Sequence, residues 1–181
     1  MIWFFIFVGL LYAILIIALT IGFGTVDEFN TISDDPTTKF SVVIPFRNEA
    51  KNLPYLLESI QQLNYPKELV ELLFIDDDST DESVETTAKH IKKIQEKGID
   101  IQHIRRTNRK GFKAGALKEG LEIAKGEFIA IFDADFLPKS DWLHKTVPYF
   151  KNDTIGVVQT RWGHINRNYS TLTKIQAFAL D

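Results

Sequence analysis

Two aspartates one residue apart, Asp133 and Asp135, close an apolar run that starts at Phe128. Side chains along a strand alternate sides with period two, so both carboxylates are expected on one side and Ala134 on the other. Paired acids at the carboxyl end of a strand suit a hard divalent cation. Mg2+ or Mn2+ held by one or two carboxylates keeps open positions, and phosphate oxygens fill them. Aspartates also form solvated turns, but Phe136, Leu137 and Pro138 follow here, which is not a solvated composition. A second acidic strand end lies upstream, where Asp76, Asp77 and Asp78 follow Phe74 and Ile75. One acid suffices to cap a helix, and three in a row repel one another. Asp76 or Asp77 can accept a hydrogen bond from a base N–H or a ribose hydroxyl. Together the two strand ends suggest an enzyme that handles a nucleotide diphosphate.

Positive charge is concentrated between them. Arg105, Arg106, Arg109, Lys110 and Lys113 fall within nine residues, just before the small residues Ala114, Gly115 and Ala116. A helix N-terminus with small residues and a lysine suits an anion. Arg109, Lys113 and Gly115 are therefore expected beside the diphosphate. Pro45, Asn48 and Glu49 follow the first strand and are expected to form one wall of the same pocket, although Asn48 also reads as a helix cap. Gln159, Arg161 and Trp162 are candidates for the acceptor side. A lone Trp is more often packing than function, and His90, His103 and His144 carry no signal of their own. The chain has no glycine-rich phosphate loop, no Gly-x-Ser-x-Gly elbow, no zinc-ligand spacing and no cysteine.

The elements that must position these residues alternate. Expected strands are 40–44, closed by Pro45, then 70–75, 99–104, 127–132 and 155–160. Expected helices are 52–63, 81–97 with Asp81 as cap and Gly98 as stop, 113–125, 140–150 with Ser140 as cap, and 169–181. Alternation of this kind implies an α/β fold with a mostly parallel sheet covered by helices on both faces. Ligands in such sheets bind outside the carboxyl ends of the strands, and Pro45, Asp76 and Asp133 all sit at such ends.

The N-terminus has a different character. Residues 2–23 contain no charged side chain. At about 1.5 Å per residue they span roughly 33 Å, the thickness of a bilayer core. A cleaved signal peptide would want basic residues before the apolar stretch and a small-residue cleavage site after it. Only Met1 precedes the stretch, so residues 1–24 read as an uncleaved transmembrane anchor and residues 25–38 as a polar linker. Lys39, Arg47 and Lys51 favour a cytoplasmic position for the domain that follows. The expected location is a membrane, the bacterial inner membrane. A net charge of −3 argues against nucleic acid as a partner.

In order and spacing, Val42-Val43-Ile44-Pro45-Phe46-Arg47-Asn48-Glu49, Asp76-Asp77-Asp78-Ser79-Thr80-Asp81, Lys113-Ala114-Gly115 and Asp133-Ala134-Asp135 resemble the motifs of family 2 glycosyltransferases with the GT-A fold. The resemblance covers residues 39–181. The stretches 111–117 and 159–166 look most like the membrane-embedded branch that holds cellulose-synthase-like and glucomannan-synthase-like enzymes. It implies a nucleotide-diphosphate sugar donor, of the UDP-glucose or GDP-mannose class, and an inverting displacement at the anomeric carbon. It also implies a polysaccharide or lipid-linked acceptor. By the same likeness Asp76 or Asp77 contacts base or ribose, Lys113 contacts the donor, and Asp133 and Asp135 hold ribose, donor sugar and Mg2+ or Mn2+. Two later motifs of the family, an acidic one that supplies the general base and a Gln-x-x-Arg-Trp that binds acceptor, have no counterpart here. Gln159-Thr160-Arg161-Trp162 has the wrong spacing for the latter. The chain therefore reads as an N-terminal portion of a longer enzyme, with the base expected downstream of Asp181. Two other readings are a nucleotidyltransferase, which would want glycines after the first strand, and a membrane-tethered nucleotide-sugar-binding module without turnover.

Overall fold

The computed structural model describes residues 1–25, 36–161 and 163–180. It divides into two units, Met1–Thr31 and Ile32–Asp181.

The first unit is one helix, α1 (Ile2–Gly24), and none of its residues is buried. It is apolar all round, with no wet face, and it is long and apolar enough to cross a membrane. The Thr20 hydroxyl is turned back onto the helix, where Oγ1 donates to Ile16 O at 2.8 Å. In a medium without water that internal bond is the available way to satisfy it. Most of the expected linker, residues 26–35, lies outside the described residues.

The second unit is built on β1 (Phe40–Phe46), β2 (Val70–Asp76), β3 (Asp100–Arg105) and β4 (Phe128–Ile131). They form a parallel sheet in the order β3-β2-β1-β4. Between them run α2 (Leu53–Gln61), α3 (Ser83–Gln95) and α4 (Phe112–Ile123), and after them α5 (Trp142–Thr146) and α6 (Thr171–Leu180). The central strands β1 and β2 are buried at every position, which is why they read as unbroken apolar runs. Their alternate residues feed two cores. Val42, Ile44, Phe46, Leu72 and Phe74 pack with Leu53, Leu56, Leu57 and Ile60 of α2, Ile91 and Ile94 of α3, and Leu143 of α5. Val43, Leu73 and Ile75 pack on the other face with Ala116 of α4. The approach of α4 to the sheet is close: a Cβ on Gly120 would sit 2.6 Å from Val43 Cγ1.

Three expectations need correction. The first strand does not stop at Pro45 but continues to Phe46. Val43 O accepts from Phe132 N, and Phe46 O accepts from Asp77 N. Odd-numbered backbone groups of β1 therefore face β4 and even-numbered ones face β2. The β4 ladder ends at Val43, so the missing N–H of Pro45 falls where no partner strand would use it. The run 155–160 is not a strand: it is irregular, and Val157 is 83% exposed. β-branched residues make a strand only when a neighbour is there to pair with. The expected helix 140–150 is a short α5 followed by a 3-10 turn at Val147–Lys151. Pro148 lacks the N–H that would continue the α-helical ladder. Ser140 caps nothing; its carbonyl accepts from Asn64 N.

Candidate active site

Four loops leave the carboxyl ends of the strands, and the first two are sewn together. Asn48 N donates to Ser79 Oγ at 3.0 Å, and Thr80 N donates to Asn48 Oδ1 at 2.8 Å. Glu49 N donates to Ser83 Oγ at 2.8 Å. Asp81 accepts from Ser83 N and from Ala50 N, which secures the start of α3 as well as the seam. Asn48 and Asp78 take left-handed backbone conformations at φ 56° and 59°, which short polar side chains tolerate best. Asn48 and Glu49 thus hold the wall together, and the carboxylate of Glu49 accepts from Asn52 Nδ2.

The triple acid after β2 divides into three environments. Asp76 is wholly buried and offers no surface to a ligand; its Oδ1 accepts from Ser79 N at 2.8 Å. Asp77 is 5% exposed and faces two cations, Arg106 through Oδ1 and Arg109 at 3.5 Å through Oδ2. Asp78 is open, with Arg105 at 4.0 Å. The sequence leaves the choice between Asp76 and Asp77 open, and both are buried; they differ in partners, since Asp77 alone pairs with Arg106 and Arg109.

After β4 the chain has already left the strand when it reaches the paired acids. Phe132 N makes the last ladder bond, and Phe136 N then donates to Asp133 O across a turn. Ala134 is buried, while Asp133 is part-exposed and Asp135 exposed. The buried methyl anchors the turn and leaves a carboxylate on either side of it. Two carboxylates supply oxygen donors of the kind that Mg2+ or Mn2+ takes, while among the described residues no group of three or more Asp, Glu, His or Cys is gathered as a metal site. Lys113, on the first turn of α4, makes an ion pair with Asp133. Arg109 stacks over the Phe112 ring at 5.1 Å. Gly115 lies where a Cβ would meet Lys110 O at 2.0 Å, so only glycine permits this packing of loop on helix. Pro45 is buried in β1. Gln159 and Arg161 lie on the exposed irregular stretch after Thr154, and Trp162 lies outside the described residues.

Two residues that sequence reasoning passed over belong to this end of the sheet. Arg106 is 4% exposed and bonded on all sides. Pairing of Asp76 with Arg105 in the β2–β3 register puts Arg106 opposite Asp77, and that register was the available clue. His103 is held below the ordinary histidine range by burial, with Asp76 opposing and Arg105 adding to the effect. Among the described residues, six buried side-chain atoms have no hydrogen bond. Arg47 Nε and Asp76 Oδ2 belong to residues at or just past strand carboxyl ends, His103 Nε2 lies within β3, and Arg109 Nε lies in the loop before α4.

The chain is 43% identical over 145 residues to a probable glucomannan 4-beta-mannosyltransferase 11 of Oryza sativa, covering 77% of this chain and 25% of that one. It is 36% identical over 144 residues to glucomannan 4-beta-mannosyltransferase 1 of Cyamopsis tetragonoloba, covering 77% and 27%. The chain thus spans about a quarter of the length of these curated relatives. Among solved structures it is similar to the mannosyltransferase PcManGT from Pyrobaculum calidifontis in complex with GDP-Man and Mn2+, at 28% identity and a TM-score of 0.64 over 75% of this chain and 40% of that one. The S. aureus protein TarS shares the fold at 24% identity and a TM-score of 0.62, over 71% of this chain and 22% of that one. The parallel sheet and its helices are those of the GT-A fold. The family model described as glycosyl transferase family 2 matches residues 41–178, from the second residue of β1 into α6, and this chain belongs to that family.

Proposed function

We propose that this chain is the donor-binding portion of a membrane-anchored mannosyltransferase that takes GDP-mannose and elongates a polysaccharide with inversion at the anomeric carbon. The observation that carries the reading is the meeting of two acidic strand ends with one basic loop, in a chain whose curated relatives are glucomannan mannosyltransferases. The neighbouring structure that holds GDP-Man and Mn2+ favours GDP-mannose over UDP-glucose as the donor. Asp77, the acid that meets the basic loop, is the one for base or ribose. Arg109 and Lys113 provide the positive charge for the diphosphate. Asp133 and Asp135 would hold Mg2+ or Mn2+, which would supply Lewis-acid neutralisation of the departing diphosphate. Lys113 then exchanges its partner, leaving Asp133 for a phosphate oxygen. No described residue is assigned as the general base.

α1 is the anchor, with the domain on the cytoplasmic side. The bacterial inner membrane expected from sequence finds no support in the two curated relatives, which are plant proteins. A nucleotidyltransferase is set aside by the family match.

The test is calorimetry on the full chain in detergent, with GDP and UDP, each with and without Mn2+. GDP should bind at least about tenfold more tightly than UDP, a difference of about 1.4 kcal/mol. Binding should depend on Mn2+ and be lost in Asp135→Asn. A preference for UDP would overturn the donor assignment, and indifference to Mn2+ would overturn the metal site.

A further inference from the structure

Arg106 joins three parts of the site that are separate in sequence. Its Nη1 donates to Asp77 Oδ1 and to Phe112 O at 3.1 Å, and its Nη2 donates to Lys110 O at 2.8 Å. Its Nε donates to Glu119 Oε1 on α4 at 2.9 Å, and its backbone N–H to Asp76 O at 2.9 Å. The two carbonyls it binds flank Gly111, and Gly111 and Phe112 have φ of 78° and 49°. A phenylalanine in the left-handed region is disfavoured and persists only when its surroundings fix it. The loop therefore enters α4 through a strained turn, and the buried guanidinium grips that turn on both sides. Gly115 completes the arrangement: a Cβ there would stand 2.7 Å from Arg106 Nη2.

We infer that Arg106 is a positioning residue for the donor. It fixes the direction of the Asp77 carboxylate, and it holds the Lys110–Phe112 turn that aims Arg109 and Lys113 at the diphosphate. The inference rests on the donor reading above. Charge balance alone would not require an arginine. A lysine neutralises Asp77 equally well, but its single ammonium cannot bridge a carboxylate, two carbonyls and Glu119 at once.

That contrast defines the experiment, done on the full chain in detergent with wild type, Arg106→Lys and Glu119→Gln. Two quantities are read: the Kd for GDP with Mn2+ by calorimetry, and amide hydrogen exchange. Arg106→Lys should weaken GDP at least about tenfold, because the planar fork is lost. It should also speed exchange at the Phe112 and Gly115 amides at least about tenfold, leaving amides of β1 and β2 unchanged. Wild-type affinity in Arg106→Lys would overturn the inference, as would unchanged loop exchange. If Arg106→Lys does not fold, Glu119→Gln removes the charge that Arg106 Nε binds on α4, and the same two readings decide. A wild-type protein that binds no nucleotide defeats the donor reading alone, and loop exchange then decides whether Arg106 holds the turn.

Discussion

Each end of the sheet buries a carboxylate, and the two are treated differently. At the amino end Glu71 is wholly buried and fully engaged. Its Oε2 accepts from Ser41 Oγ at 2.6 Å and from Lys125 N at 2.9 Å, and its Oε1 pairs with Lys125 Nζ at 3.2 Å. Burial pushes its pKa up, but the bonds from Ser41 and Lys125 outweigh it and leave the carboxyl below its ordinary value. The packing there is close as well, since a Cβ on Gly126 would come within 2.3 Å of Ser41 N. At the carboxyl end Asp76 is just as buried, yet its Oδ2 makes no hydrogen bond, with Arg105 Nε at 3.8 Å and His103 Nε2 at 3.9 Å. One end is saturated and serves the fold. The other leaves a buried carboxylate oxygen without a hydrogen bond.

The contrast is broken most sharply by Asp135→Asn. Transfer by the full-length enzyme should fall by about 100-fold or more, because the metal's share of the barrier is several kcal/mol. Melting should barely move, because the side chain is exposed. Equal transfer rates would remove the metal reading. Glu71→Gln should do the reverse. Denaturant titration should show a loss of about 1–3 kcal/mol as buried partners go unsatisfied, with GDP affinity of the folded protein unchanged. A parallel fall in affinity would mean the two ends are not independent.

Lys113→Met should weaken GDP about tenfold, the ~1.4 kcal/mol of one charged contact. Stability should hold, since its pair with Asp133 is exposed on both sides. The smallest effect concerns His103. Its folded pKa lies below the unfolded value of about 6.5, so the folded state binds fewer protons. Stability is then complete above that value and declines as pH falls through it, by at most about 1.4 kcal/mol per pH unit. Melting temperature should drop between about pH 7.5 and 5.5, and His103→Gln should flatten that slope; an unchanged slope would assign it elsewhere.

Much of this molecule is legible in its sequence because interior parallel strands advertise themselves. β1 and β2 have no exposed face, so their apolar runs are continuous. Gly98, with φ 82°, ends the α3 region where a glycine is expected. Residues 155–160 show the limit, since composition makes a strand only if a partner exists. The alternation argument for Asp133 and Asp135 assumes a strand that has already ended at Ile131. What separates the two acids from the core is the buried Ala134 in a turn. Arg106 was hidden for a different reason. Two of its partners are backbone carbonyls, which carry no mark in a sequence.

The unequal ladders give the rim of the sheet its relief. β1 pairs with β4 only as far as Val43, and with β2 as far as Phe46. Three further residues of strand amount to about 10 Å. The floor on which a ligand would lie is therefore a stair, with Asp133 and Asp135 leaving from the lower tread and Asp77 from the upper. The height of that step is set by where a four-residue strand stops.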